Sequence, residues 1–171
     1  MKYKASLFLR LLGIIVIGIF YNVFYVVIAP VTFYLSYLLL GIFYKIKLAP
    51  SAFIINEKII NFVPACYAIL AYFLLALLIL FTKDIGFMKG IRMFVLGSFV
   101  IFFVNLIRIF VIVAVLLEKG TNYFNAIHLF TWEILSTLFV FLLWIYLTKG
   151  FKVKAIPVYS DVITLVKNMK D

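Results

Sequence analysis

Residues 93–117 read MFVLGSFVIFFVNLIRIFVIVAVLL, a 25-residue run in which Asn105 and Arg108 are the conspicuous polar interruptions. A helix crosses the ~30 Å hydrocarbon core of a bilayer with about 20 mostly apolar residues. This run therefore predicts a transmembrane helix with one amide and one guanidinium embedded in it. Outward from it, further apolar runs fall at about 6–28, 31–44, 65–82 and 127–148. The whole chain has 171 residues, 68% of them hydrophobic and 13% charged. Soluble domains carry roughly 25% charged residues and about half apolar ones, so the membrane class is set before any motif is read.

The expected fold class is an all-α, polytopic transmembrane bundle of about five to six spans over 1–148, with a cytoplasmic tail at 149–171. Val158, Val162, Ile163, Leu165 and Val166 suit a short amphipathic helix in that tail. The first two runs form one block, from Leu11 to Tyr44, far longer than the ~7–15 residues of a signal-peptide core. It reads as retained membrane helix, split near Pro30. Lys45 to Val63 reads as a polar connector holding Pro50, Ser51, Asn56, Glu57 and Asn61. Lys83 to Arg92 reads as a charged turn, and Glu118 to Asn125 as another, with Gly120 a helix stop and Thr121 an N-cap. There is no internal repeat.

The net charge of +10 sits at the ends of apolar runs. That is the pattern of cytoplasmic loops and anionic headgroup contacts rather than of a nucleic-acid face. By the same rule Lys83, Lys89, Arg92 and the lysines from Lys149 onward face the cytoplasm, and the 45–63 and 118–126 connectors face outside. Lys2, Lys4 and Arg10 argue for a cytoplasmic N-terminus as well, which conflicts with two spans before residue 45. Either the 31–44 piece does not cross, or the N-terminus lies outside. One cysteine, Cys66, excludes an intramolecular disulfide and a cysteine-based zinc cluster. No metal and no cofactor are expected.

Cys66, Arg108 and His128 stand in or at the mouth of the last three runs. Cys66 is 17 residues from Lys83, Arg108 is 16 from Arg92, and His128 is 21 from Lys149. At ~1.5 Å per residue these are depths of ~25, ~24 and ~31 Å from the cytoplasmic charges. Alternating helix directions thus bring the three groups to nearly one level, toward the outer face. Each has a plainer reading. A lone membrane cysteine is usually an inert small hydrophobe, and a histidine near a helix end can be merely interfacial. Arg108 is harder to dismiss, because an unpaired charge inside the bilayer costs at least ~2.5–3.5 kcal/mol. Asn105 lies one turn earlier on the same face, which favours a polar pocket inside the bundle, and Glu133 is the rival ion-pair partner. Together they compose a thiol nucleophile, an imidazole general acid/base and a guanidinium that stabilises thiolate or oxyanion.

Pro64-Ala65-Cys66 opening one run, Asn105-Leu106-Ile107-Arg108-Ile109 inside the next and His128 with Trp132 opening the last resemble the exosortase/archaeosortase family of membrane transpeptidases, over about residues 45–148. The resemblance implies that Cys66, Arg108 and His128 form a catalytic triad, with Asn105 in support. It also implies membrane-anchored substrate proteins with a C-terminal sorting signal (a short motif, a transmembrane helix and a basic cluster). These would be cut near the motif and handed to a lipid or other acceptor at the extracytoplasmic face of the plasma membrane. Tyr67-Ala68 stands where many bacterial members carry small polar residues, and the N-terminal region is short, so a compact archaeal-type member fits better. Two alternatives stay open: a non-enzymatic small transporter or assembly factor with Arg108 and Glu133 in a polar path, and a hydrolytic protease with the same triad.

Overall fold

A computed structural model describes residues 2–19, 21–83, 85–121, 123–124, 134–153 and 157, with side chains from residue 8 onward. It is mostly helical, and the long helices among the described residues are α1 (Lys2–Ile19), α2 (Tyr21–Gly41), α3 (Ile69–Phe81), α4 (Phe87–Lys119) and α5 (Ser136–Gly150). Two stretches, Asn22–Gly41 and Phe87–Lys119, are long and apolar enough to cross a membrane. Both leave many large apolar side chains exposed, among them Val26 at 70%, Leu38 at 60%, Phe103 at 58% and Ile107 at 61%. A core helix of a soluble protein buries such residues, and large contiguous apolar surface is rare on soluble monomers. That exposure suits candidate membrane-spanning helices.

Three contacts along α4 fix the direction of α3. Gly90 abuts Ile79, Gly97 abuts Leu75, and Asn105 reaches the carbonyl of Cys66, so the two helices are antiparallel. Likewise Lys89 meets Phe151, Gly97 meets Leu147 and Arg108 meets Ser136, so α5 is antiparallel to α4. Phe24 packs on Phe94 and Phe43 on Phe110, which makes α2 and α4 parallel. Gly97 lies where α3, α4 and α5 meet. A Cβ there would run into a Leu75 methyl and stand 3.1 Å from Leu147.

Several expectations are corrected. The N-terminal block does not split at Pro30, which lies inside α2, because neighbouring helices can re-satisfy the backbone group that proline frees. The helix α1 meets the far end of α3, with Gly13 against Leu80 at 3.5 Å. Lys89 and Arg92 belong to the first turns of α4 rather than to a loop. Gly120, with φ +85°, does end α4, but Thr121 already lies in the next helical turn, where Phe124 N–H donates to the Gly120 carbonyl.

The largest correction is the connector at 45–63, which is folded. It forms a three-stranded antiparallel meander, β1 (Ile46–Ala49), β2 (Ala52–Ile55) and β3 (Lys58–Asn61). Pro50 and Ser51 (φ +57°) make the first turn, the arrangement of a type II turn with proline leading. Asn56 (φ +49°) and Glu57 (φ +66°) make the second, a two-residue hairpin of the I′ kind. The sheet seats Phe53 against Phe33 and Phe62, with ring centroids 4.7 and 4.6 Å away, over the C-terminal half of α2. The proposed tail lies largely outside the described residues.

Candidate active site

Cys66 sits in a single 3-10 turn, Pro64–Tyr67, between the sheet and α3 and outside the two candidate membrane-crossing helices. Pro64 opens it, where a missing N–H costs nothing, and Cys66 N–H donates to the Val63 carbonyl at 2.8 Å. The turn ends on Ala68, buried and left-handed with φ +53° and ψ +29°. That conformation costs an alanine roughly 1–2 kcal/mol. Strain of this sort gathers at functional sites because the surroundings have to impose it. Here they do so through Tyr67, which packs on Phe62 and Tyr25 at 5.9 and 5.4 Å, and through two side chains of α4.

Those two side chains are the pair picked out in the sequence. Asn105 Nδ2 donates to the Cys66 carbonyl at 2.8 Å, and Arg108 Nη2 donates to the Ala65 carbonyl at 3.0 Å. One turn of α4 thus holds both carbonyls that flank the Cys66 Cα. Arg108 Nη1 also reaches Ser136 Oγ on α5 at 3.4 Å, so the guanidinium bridges the cysteine turn and the last helix.

A cavity of about 440 Å³ is lined by Cys66, Arg108, β3 and the outer half of α4. Two others, of about 360 and 430 Å³, lie on the α5 side of Arg108 and share Ala68, Ala71 and Ser136. The guanidinium is thus the partition between two spaces. Burial pushes the Cys66 thiol up from its ordinary value, while a backbone hydrogen bond at Val63 and the Arg108 cation pull it back. The desolvation is the larger effect, so the thiol form is favoured over the thiolate.

Of the three residues predicted to act together, Cys66 and Arg108 share one cavity. His128 lies outside the described residues, as do Glu133 and Trp132. Before that segment Phe124 lines the cavity with Cys66, and after it Ser136 bonds the guanidinium. Asn105, expected in support, is 4% exposed and fixes the turn. Ser136 and Ala68 were missed. The contact between Ser136 and Arg108 spans 28 positions and has no local signature, and an alanine in left-handed backbone leaves no mark on a sequence. No group of three or more metal-ligating side chains occurs among the described residues. The chain matches no protein-family model, no curated protein and no solved structure.

Proposed function

We propose that this chain is a cysteine-dependent membrane transpeptidase of the exosortase/archaeosortase kind, acting on membrane-anchored proteins that carry a C-terminal sorting signal. The observation that carries the reading is the shared cavity of Cys66 and Arg108, with the thiol's own turn held by Asn105 and Arg108. A merely inert cysteine requires no such apparatus.

In the reaction, His128 takes the Cys66 proton and the sulfur attacks a substrate carbonyl. The C–N bond breaks, the amine leaves with the proton from His128, and a thioester remains. A lipid or other acceptor then attacks that thioester, its proton passes to His128, and the C–S bond breaks to restore the thiol. Arg108 stabilises the thiolate before attack and the oxyanion after it. Water as acceptor gives simple hydrolysis.

The membrane arrangement we infer has α2, α3, α4 and α5 crossing in alternate directions, with the sheet outside and α1 at the cytoplasmic end. This is fewer crossings than the five to six expected. Lys2, Lys4, Arg10, Lys83, Lys89, Arg92, Lys149 and Lys152 then lie toward the cytoplasm, eight basic residues against Lys45, Lys47, Lys58 and Lys119 outside. That asymmetry obeys the positive-inside rule, and the conflict over the N-terminus disappears because only α2 crosses before residue 45. The site then lies at the extracytoplasmic face of the cell membrane.

The test is co-expression with reporters that end in a randomised eight-residue segment, an apolar helix and an arginine cluster. The native chain shortens a subset of them, and Cys66→Ala, still inserted, shortens none. Undiminished processing by Cys66→Ala ends the proposal. The mass of the product distinguishes transfer from hydrolysis.

A further inference from the structure

The meander has an open edge beside the thiol. In the sheet order β1-β2-β3, β2 occupies only one side of β3, with Ala52 opposite Asn61 and Ile55 opposite Lys58. Phe62 N–H donates to the Ser51 carbonyl at 2.8 Å, which sets the parity of the ladder. Alternate residues of an antiparallel strand turn both backbone groups to the same neighbour. Phe62, Ile60 and Lys58 therefore face β2, while Ile59 and Asn61 turn theirs to the open side. Neither Ile59 nor Asn61 has a backbone hydrogen bond on that side among the described residues.

Natural sheets blunt such edges with lysine, proline or a covering segment. Here the lysine of the strand is engaged elsewhere, Lys58 Nζ donating to the Leu116 carbonyl of α4 at 3.3 Å. The side chains of Ile60 and Phe62 are each 8% exposed and lock the strand to the core. Its edge borders the same cavity of about 440 Å³ that holds Cys66 and Arg108. From Asn61 the chain needs five residues to reach the thiol.

Resting on the transpeptidase reading, we propose that β3 is the substrate dock: an extended peptide segment pairs with Ile59 and Asn61 as a fourth strand and lays a carbonyl over Cys66. Donors and acceptors alternating along a strand at ~3.3 Å per residue match another main chain, whereas a lipid tail offers nothing to them. The run from Ile59 to Val63 accommodates a segment of four or five residues, the scale of a short sorting motif. Main-chain pairing would supply affinity, and the cavity would select alternate side chains.

Two arms test this. In the first, Cys66→Ala protein in detergent receives a fully randomised N-acetyl octapeptide mixture at about 10 mM, tenfold above the millimolar affinity of a few main-chain bonds. Amide exchange at Ile59 and Asn61 slows by about tenfold while Ile60 and Phe62, already paired, do not change. The same mixture N-methylated at alternate residues has no effect. Unchanged exchange at Ile59 and Asn61 overturns the proposal, and so does protection that follows protein concentration without peptide, since a second copy then holds the edge. In the second arm Asn61→Pro removes the open-edge N–H, a position where a strand tolerates proline. Processing of the selected reporters then shows KM raised about fivefold with kcat kept, the loss of one hydrogen bond. An unchanged KM overturns the dock and leaves the enzyme. Octapeptide protection with no reporter processed by the native chain keeps the dock and discards the enzyme.

Discussion

The guanidinium of Arg108 is tied to the backbone at Ala65 and to the hydroxyl of Ser136, two points that belong to different elements. A lysine ammonium is a point charge and cannot reach both in the planar fork that arginine offers. Arg108→Lys should therefore lower reporter processing by about a hundredfold or more, the usual loss for an oxyanion donor, while the protein still elutes as a folded species. Asn105→Ala orphans the buried Cys66 carbonyl, and leaving such a group unmet costs about 1–3 kcal/mol. Thermal unfolding in detergent reads that loss, and an unchanged melting temperature would show the bond to be incidental. Cys66 itself gives a pH test. Its raised pKa means less thiolate than a free cysteine at any given pH, so iodoacetamide should react more slowly than with free cysteine at pH 8. The rate should climb about tenfold per pH unit until it passes the free-thiol range. A plateau below that range contradicts the burial argument.

At the scale of elements, α4 is the spine. Its Gly97 admits Leu75 from α3 and Leu147 from α5, and no side chain fits there without moving one of them. Gly97→Val should destabilise the bundle by about 1–3 kcal/mol through overpacking, seen as a lower midpoint in denaturant or heat. Both turns of the meander hold non-glycine residues at positive φ, and one of them is simple to repair. Glu57 holds φ +66° in the β2–β3 turn, which asks for glycine. Glu57→Gly should stabilise by about 1 kcal/mol, and a loss of stability instead would mean that the carboxylate has a role the turn geometry does not reveal.

For the whole molecule the membrane arrangement inferred above has one clear consequence: the start of α1, the α3–α4 turn and the end of α5 share a side, and the sheet takes the other. A fluorescent reporter that matures only in the cytoplasm should light up when fused before Met1 or after Gly150. A periplasm-type phosphatase inserted in the Asn56-Glu57 turn should be active. The reverse pattern, or a dark N-terminal fusion, removes the single-crossing account of α2. Much of this was legible beforehand. The run 93–117 declares a lipid-facing helix by composition, and the depth count from Lys83 and Arg92 brings Cys66 and Arg108 to one level. The sheet was hidden because its strands are four residues each, too short to display a period of two. Its turn residues, Pro50-Ser51 and Asn56-Glu57, read only as a polar connector.

Alone, then, the sequence determined the apolar character of this chain and the spacing of its polar groups along each run, since both follow from local composition and from a fixed rise per residue. Only the tertiary structure decided which elements those groups join. Asn105 and Arg108 grip the turn of Cys66 through backbone carbonyls 39 and 43 positions away. Pairings of that kind depend on how helices dock against one another, and no periodicity within a single helix encodes them.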